Sequence, residues 1–378
     1  MIRAPEQKKV IVAMSGGVDS SVAAVLLKEA GYEVIGVTLR LWVDPLAEEQ
    51  AGEEAKGCCS YDAVSDARKV AAMLDIPYYV FDMKEEFYQK IVCNFTSEYL
   101  HGRTPNPCIE CNRSIKFLSL LQKARGLGVN LLATGHYARI NYDPKSNHFG
   151  LHKGFDHLKD QSYMLYVLGQ KELAATIFPL GEKTKPEVRR IAAAKGLTVA
   201  EKDESQEICF IPDNDYRSFM ERAYPETILP GDIVSTTGQK LGRHRGIVFY
   251  TVGQRKGLGL TSQYPLYVVR LDTEHNRIVV GRESELYSSG LLADGLNFIT
   301  GVSPPEPLAI EVKIRYRAPA VPAVLYPSEN SIAKIIFQDK QKAVTPGQSA
   351  VFYQGEEVLG GGIIKAAISD NRELKAGL

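Results

Sequence analysis

Two rhythms of apolar and polar positions run through the first half of the chain. Short continuous apolar runs, Val10-Ile11-Val12-Ala13, Glu33 to Trp42, Tyr78 to Phe81 and Val129 to Thr134, read as buried strands. Between them apolar residues recur at helical spacing: Val22, Val25, Leu26 and Ala30, then Ala63, Ala67, Val70, Ala71 and Leu74, then Phe87, Ile91 and Phe95. Two further helices are expected, from Ser114 to Ala124 and, strongly basic, from Lys183 to Gly196. Strand and helix in alternation predict an α/β fold, a doubly wound parallel sheet covered on both faces, with ligands at the carboxyl ends of its strands. The Pro- and Cys-rich stretch from His101 to Asn112 is expected to be a loop, and the acidic stretch from Asp44 to Lys56 a solvated insertion.

The pattern then changes. Short runs rich in Val, Ile, Tyr and Thr alternate with Gly and Pro turns at 231–234, 247–252, 267–271 and 277–280, and again at 311–316, 332–337, 349–353 and 357–361. The second half is therefore mainly β. We divide the chain into an α/β catalytic domain at 1–215, a small central domain at 216–286 and a β-barrel domain at 287–378. A length of 378 residues suits two or three such units.

Lys plus Arg and Asp plus Glu are equal at 45 each, so global charge points to neither nucleic acid nor membrane. No apolar run approaches the ~20 residues of a membrane span, and the N-terminus lacks the apolar core of a signal peptide. The expected location is cytoplasmic, with no membrane partner. In that reducing compartment six cysteines suggest chemistry, metal binding or buried thiols more than structural disulfides.

The clearest chemical signal is Ser15-Gly16-Gly17-Val18-Asp19-Ser20-Ser21, a glycine turn between the first strand and first helix. Glycines let backbone approach a ligand, and the open N–H groups of the helical turn, aided by the Ser15, Ser20 and Ser21 hydroxyls, would hold an anion such as a phosphate. No lysine follows the glycines, so this is not the loop whose Lys reaches the terminal phosphates. A second signal is Cys108-Ile109-Glu110-Cys111 behind a Pro-containing turn, two thiols near a helix N-terminus, where the local field favours thiolate. Such a pair suits half a zinc site, a redox couple or part of an iron–sulfur site. Cys209 lies in a comparably polar loop, whereas Cys93 is expected in the core and the Cys58-Cys59 pair to be inert.

Residues 233–271 hold Lys240, Arg243, Arg245, Arg255, Lys256 and Arg270 without an acid, interleaved with Phe249, Tyr250, Tyr264 and Tyr267. That mixture suits phosphates and stacked bases. Lys313, Arg315 and Arg317 would line one face of a strand.

Seven segments, SGGVDSS, TPNPCIECNRSIKF (104–117), ATGHYAR (133–139), KDQSYML (159–165), SQEICFIP (205–212), PGDIV (230–234) and VGQRKGLG (252–259), together resemble the tRNA-specific 2-thiouridylase family, within the N-type ATP pyrophosphatases. The resemblance implies an ATP pyrophosphatase domain, a small central domain and a C-terminal barrel. It implies ATP contacts at Ala13, Met14, Ser15, Gly16, Gly17, Val18, Asp19, Ser20, Leu39 and Gly135, with Mg2+ near Asp19. Asn106, Pro107 and Cys108 would face the target base, and Lys159, Asp160, Gln161, Arg315 and Tyr316 would touch tRNA. The reaction implied is replacement of the C2 oxygen of the wobble uridine by sulfur, after adenylation of that oxygen. Sulfur would come from a sulfur relay or a cysteine desulfurase; Cys209 would carry it as a persulfide and Cys111 would release it, leaving a disulfide. Many members have Asp where this chain has Cys108 and use it as acid–base group. Others share the three cysteines and resemble sulfurtransferases that hold a 4Fe-4S cluster, for which Cys108, Cys111 and Cys209 would be the ligands.

Overall fold

The computed structural model describes residues 9–45, 61–202, 208–211, 215–327 and 331–369. The Cys58-Cys59 pair, most of the acidic insertion and Ser205 to Glu207 lie outside them. Three sheets organise the chain. The first is wholly parallel, built from β1 (Lys9–Ala13), β2 (Glu33–Arg40), β3 (Tyr78–Asp82), a short β4 (Leu132–Ala133) and, beyond the hairpin below, β7 (Thr176–Ile177), in the order β3-β2-β1-β4-β7. The order reverses between β1 and β4. In a doubly wound sheet this reversal opens the ligand crevice, at the carboxyl ends of the two strands. Helices Val18–Glu29 and Lys185–Ala194 share one core with β1: Val10, Val12, Val22, Val25, Val188 and Ala192 are all buried in it.

Between β4 and β7 the chain makes a hairpin that the sequence reading missed, β5 (Ala138–Asp143) with β6 (His148–Lys153). It belongs to a different sheet. Its β6 pairs with β17 (Glu357–Ile368), matching His152 to Glu357 and Leu151 to Val358. The small central sheet holds β8 (Gly231–Ser235), β9 (Lys240–His244), β10 (Tyr267–Asp272) and β11 (Arg277–Gly281), in the order β10-β11-β8-β9. The third sheet contains β12 (Tyr287–Phe298), β13 (Leu308–Lys313), β14 (Val321–Tyr326), β15 (Ala333–Lys342), β16 (Ser349–Gln354) and β17. Pairing of β12 with β17 closes these into a barrel, with the hairpin annexed at β17. The fold class read from the sequence therefore holds: a parallel α/β sheet, a small central unit and a closed barrel.

Several local expectations need correction. The segment 247–252 is a short helical turn, Ile247–Phe249, since Val248, Phe249 and Tyr250 are buried by packing and not by strand pairing. The run 311–316 ends as strand at Lys313, and the Ala318 N–H closes a turn on the Arg315 carbonyl, so Lys313, Arg315 and Arg317 do not share a strand face. The helix expected from Ser114 starts at Pro107, placing both cysteines of the CxxC on it. Cys93 is half-buried while Val92 and Phe95 beside it fill the core.

Candidate functional site

The glycine turn joins β1 to helix Val18–Glu29, and its shape is held from within. Ser20 Oγ accepts from the Ser15 N–H at 3.1 Å, and the Ser20 and Ser21 hydroxyls donate to the Gly17 carbonyl at 3.2 and 2.9 Å. These two hydroxyls shape the loop, leaving Ser15 as its exposed one. Gly16 has φ +70, and a Cβ there would lie 2.2 Å from the Ala63 carbonyl oxygen, so only glycine fits. No side chain caps the helix at Gly17. Its first N–H groups could therefore hold an anion, with the positive end of the helix dipole behind them. Met14 and Val18 are buried, so they can offer a ligand only backbone, and Leu39 packs into the core beneath.

Gly135 follows β4 across the crevice, and a Cβ on it would stand 2.7 Å from the Ser20 backbone nitrogen. This close approach brings the Ala133–Arg139 segment onto the loop. Tyr137 Oη donates to Asp19 Oδ1 at 2.7 Å, and Lys185 Nζ lies 2.8 Å from both Asp19 oxygens. Neither partner was assigned a role from sequence. The His136 ring packs between Phe117 and Phe178, and burial, helped by the Lys116 charge, holds its pKa well below the usual histidine value. It stays neutral at physiological pH.

The cysteines sit along the same carboxyl edge, past the ends of β2 and β3. Asn106 caps the helix, its Oδ1 accepting from the Cys108 N–H at 3.2 Å, and Pro107 occupies the first turn, where its missing N–H costs nothing. From Cys111 to Ser119 the helix widens into π-type turns, a deformation that recurs at functional sites. Cys111 is buried among Leu41, Met83, Phe87 and Phe210, and Cys209 packs against that same cluster. Two segments about a hundred residues apart are thus brought together by apolar packing. The Asp44 N–H donates to the Phe210 carbonyl at 3.2 Å, and the Asp44 carboxylate pairs with Arg222 at 2.6 Å, both side chains largely buried.

Cys108, by contrast, is exposed. Among the described residues no three His, Cys, Asp or Glu side chains gather as a metal site. One helical turn separates an exposed Cys108 from a buried Cys111, and only the latter belongs to the apolar cluster that Cys209 packs against.

A second group of expected residues converges beside the thiols. Asp160 accepts from the Gly154 and Ser162 N–H groups and from the Ser162 hydroxyl, at 2.9, 3.1 and 2.9 Å, fixing the turn that carries Lys159. Gln161 Oε1 accepts from the Tyr137 N–H at 3.0 Å, tying that turn to the nucleotide side. Met164 ties it to the thiol side: its carbonyl accepts from Asn112 Nδ2 at 3.0 Å, and its sulfur lies 3.7 Å from Asn106 Nδ2. From the barrel, Tyr316 Oη donates to the Asp160 carbonyl at 3.3 Å, and Lys313 Nζ stands 5.7 and 5.5 Å from the Tyr163 and Tyr316 rings. Arg315 donates to the carbonyls of Lys342, at 2.8 Å, and Ala343. Burial holds the Lys313 ammonium and the Arg315 guanidinium below their ordinary pKa values.

The basic segment of the central domain is less available than its composition suggests. Asp232 and Asp272, just outside 233–271, pair with Lys240 and Arg270 at 2.7 and 3.8 Å. Phe249, Tyr250 and Tyr267 are buried, leaving Tyr264 as the exposed ring, with the Arg282 guanidinium 4.3 Å from its centroid. Arg255 and Lys256 remain exposed in a turn.

A family model described as tRNA methyl transferase HUP domain matches residues 8–213, one described as tRNA methyl transferase PRC-barrel domain matches 217–282, and one described as aminomethyltransferase beta-barrel domain matches 288–364. The tRNA-specific 2-thiouridylase MnmA of Carboxydothermus hydrogenoformans is 52% identical over 359 residues, covering 95% of this chain and 98% of the relative. That of Geotalea uraniireducens is 50% identical over 371 residues, covering 98% of each. Among solved structures, the U34-tRNA thiolase NcsA from Methanococcus maripaludis with its 4Fe-4S cluster overlaps 59% of this chain and 69% of its own, at 19% identity and a TM-score of 0.35. That overlap is too partial to speak to the site.

Proposed function

Since the chain belongs to the tRNA-specific 2-thiouridylase family, we propose that it activates the C2 oxygen of a tRNA wobble uridine with ATP and replaces it with sulfur carried by Cys209 and released by Cys111. Uracil's C2 carbonyl has no leaving group. Attack of that oxygen on the α-phosphorus forms an O–P bond, breaks the bond to the bridging oxygen and sends pyrophosphate away with the electron pair. The uncapped N-terminus of helix Val18–Glu29 faces the phosphates in this reading, with Gly135 and Asp19 across the crevice. Mg2+ enters as the counterion of ATP, as part of the nucleotide substrate.

Sulfur transfer balances with two thiols. The Cys111 thiolate attacks the inner sulfur of a Cys209 persulfide, forming a Cys111–Cys209 disulfide and expelling hydrosulfide. Hydrosulfide adds at C2, AMP leaves with the original oxygen, and an external thiol reduces the disulfide for the next cycle. The observation that carries this reading is the packing of Cys111 and Cys209 against one apolar cluster while Cys108 stays outside it. This reading routes sulfur through the two thiols that share that packing; among the described residues no three His, Cys, Asp or Glu side chains gather as a metal site. Residues 1–215 perform the chemistry in this reading. The turn at Lys159–Gln161, the barrel residues Arg315 and Tyr316, and the central domain at 216–286 hold tRNA. A relay protein or a cysteine desulfurase supplies the persulfide.

The test is reconstitution. Purified protein with ATP, Mg2+, a persulfide donor and unmodified tRNA should yield 2-thiouridine at the wobble position by mass spectrometry, with one pyrophosphate released per sulfur incorporated. Pyrophosphate release that ignores tRNA and follows a small amine acceptor would assign the site to amide synthesis instead.

A further inference from the structure

The loop Ser15–Ser21 lacks the lysine that phosphate-binding glycine loops commonly carry, yet the fold delivers one from 166 positions along the chain. We propose that Lys185 is the phosphate cation of this site, exchanging one Asp19 oxygen for an oxygen of the β-phosphate and stabilising pyrophosphate as it leaves. This rests on reading the loop as an ATP site.

The placement of Lys185 is built. It opens helix Lys185–Ala194, whose start is fixed by a capping box between Thr184 and Glu187, and its own N–H donates to Asp156 Oδ2 at 2.9 Å. Its side chain is 9% exposed, against 31% for that of Asp19, so the ammonium is the more deeply buried partner of the pair. Nζ bridges both carboxylate oxygens at 2.8 Å and lies 5.9 Å from the Tyr137 ring, whose hydroxyl also holds Asp19. A buried ion pair is weak evidence for stability, because apolar side chains of similar volume usually serve the fold as well. Its location supplies the reason for it. A lone Asp19 in the first helical turn would repel a polyphosphate from the very N–H groups that should bind it; Lys185 cancels that charge. Moving an ammonium between two anionic acceptors then keeps it paired at each stage. As the α–β bond breaks, charge grows on the departing β-phosphate, where a cation already in place acts without reorganisation.

Calorimetric titration of the full chain with AMP and with Mg2+-α,β-methylene-ATP separates this role from a structural one. Wild-type protein should prefer the triphosphate. Lys185→Met should weaken the triphosphate by at least about tenfold, the loss of one charge-assisted contact, with AMP affinity held within about twofold. Lys185→Arg should recover part of the loss. Because Lys185→Met leaves the Asp19 carboxylate without its countercharge, held by the Tyr137 hydroxyl alone, the double variant Asp19→Asn, Lys185→Met provides a fold control without that negative charge, and it too should lose the preference for triphosphate. Retained preference in the variants, or equal loss of AMP and triphosphate, would overturn the proposal while leaving the ATP reading intact. A wild-type protein that binds neither nucleotide would overturn both.

Discussion

The two halves of the proposed site are built in opposite ways. The glycine loop is contiguous: seven residues, their own hydroxyls and one helix end make a place that could hold an anion, and Asp19 looks outward for partners. The thiol region is discontiguous. Cys111 and Cys209 arrive on separate segments and share one apolar cluster that includes Phe210, Phe87 and Met83, while an Asp44–Arg222 pair joins two further segments. A site assembled from one stretch tolerates change elsewhere in the molecule. One assembled by packing is exposed to every contact that holds its pieces.

The largest expected effect lies on the contiguous side. Asp19→Ala removes the acceptor of both Tyr137 and Lys185 and should lower tRNA-dependent pyrophosphate release by at least about a hundredfold, a typical cost for lost preorganised electrostatics. Filter binding of tRNA should change little, and coincident loss of tRNA binding would show that the two halves are not separable. Arg222→Met, next in size, removes the arginine partner of a largely buried Asp44, at a cost of about 3 kcal/mol, the lower end for a broken buried pair. Denaturant melts should register that loss, and Cys209 should alkylate faster, because Asp44 N–H holds the adjoining Phe210 carbonyl. An unchanged alkylation rate would remove Asp44 from the account of how Cys209 is positioned.

Gly347→Ala sharpens the comparison from the barrel side. Gly347 has φ +90, and a Cβ would come within 2.7 Å of the Thr104 backbone nitrogen, where Pro346 and Gln348 grip the start of the thiol loop. Strain of about 1–3 kcal/mol should shift that loop and slow sulfur transfer several-fold, with adenylation close to wild type. Equal slowing of both steps would mean that the barrel acts on the whole domain.

The smallest effect concerns pH. His136, His152 and His244 all have pKa values lowered chiefly by burial from the ordinary 6.5. Below that value the unfolded chain binds protons that the folded chain does not, so stability should fall as pH drops beneath 6.5 and be recovered above it. His136→Leu should flatten this slope, as read by chemical denaturation at several pH values.

The same contrast explains what could be read in advance. The strand–turn–helix around SGGVDSS was legible because every part of it is local, and so were the parallel sheet and the β-rich second half. Lys185 was visible only as part of a basic helix, although the Thr184–Glu187 capping box fixes its position at the helix start; nothing in the sequence aims it at Asp19. The hairpin at 138–153 escaped notice because its partner is β17, some two hundred residues on, so its reason for being a strand lies in another domain. The basic segment at 233–271 carries less open charge than its composition suggests for the converse reason, two of its cations pairing with acids that stand one residue beyond each end. The three cysteines were visible in the sequence, but their burial was not: Cys111 belongs to the cluster that Cys209 packs against, and Cys108 is exposed.

The central claim, sulfur transfer by two thiols and not three, is tested most directly by Cys108→Ser, Cys111→Ser and Cys209→Ser proteins prepared without oxygen, assayed for iron and for 2-thiouridine formed from a persulfide donor. The account predicts iron-free wild-type protein that is active, substantial activity in Cys108→Ser, and none in the other two. Stoichiometric iron in the wild type, lost together with thiolation in all three variants, would contradict it.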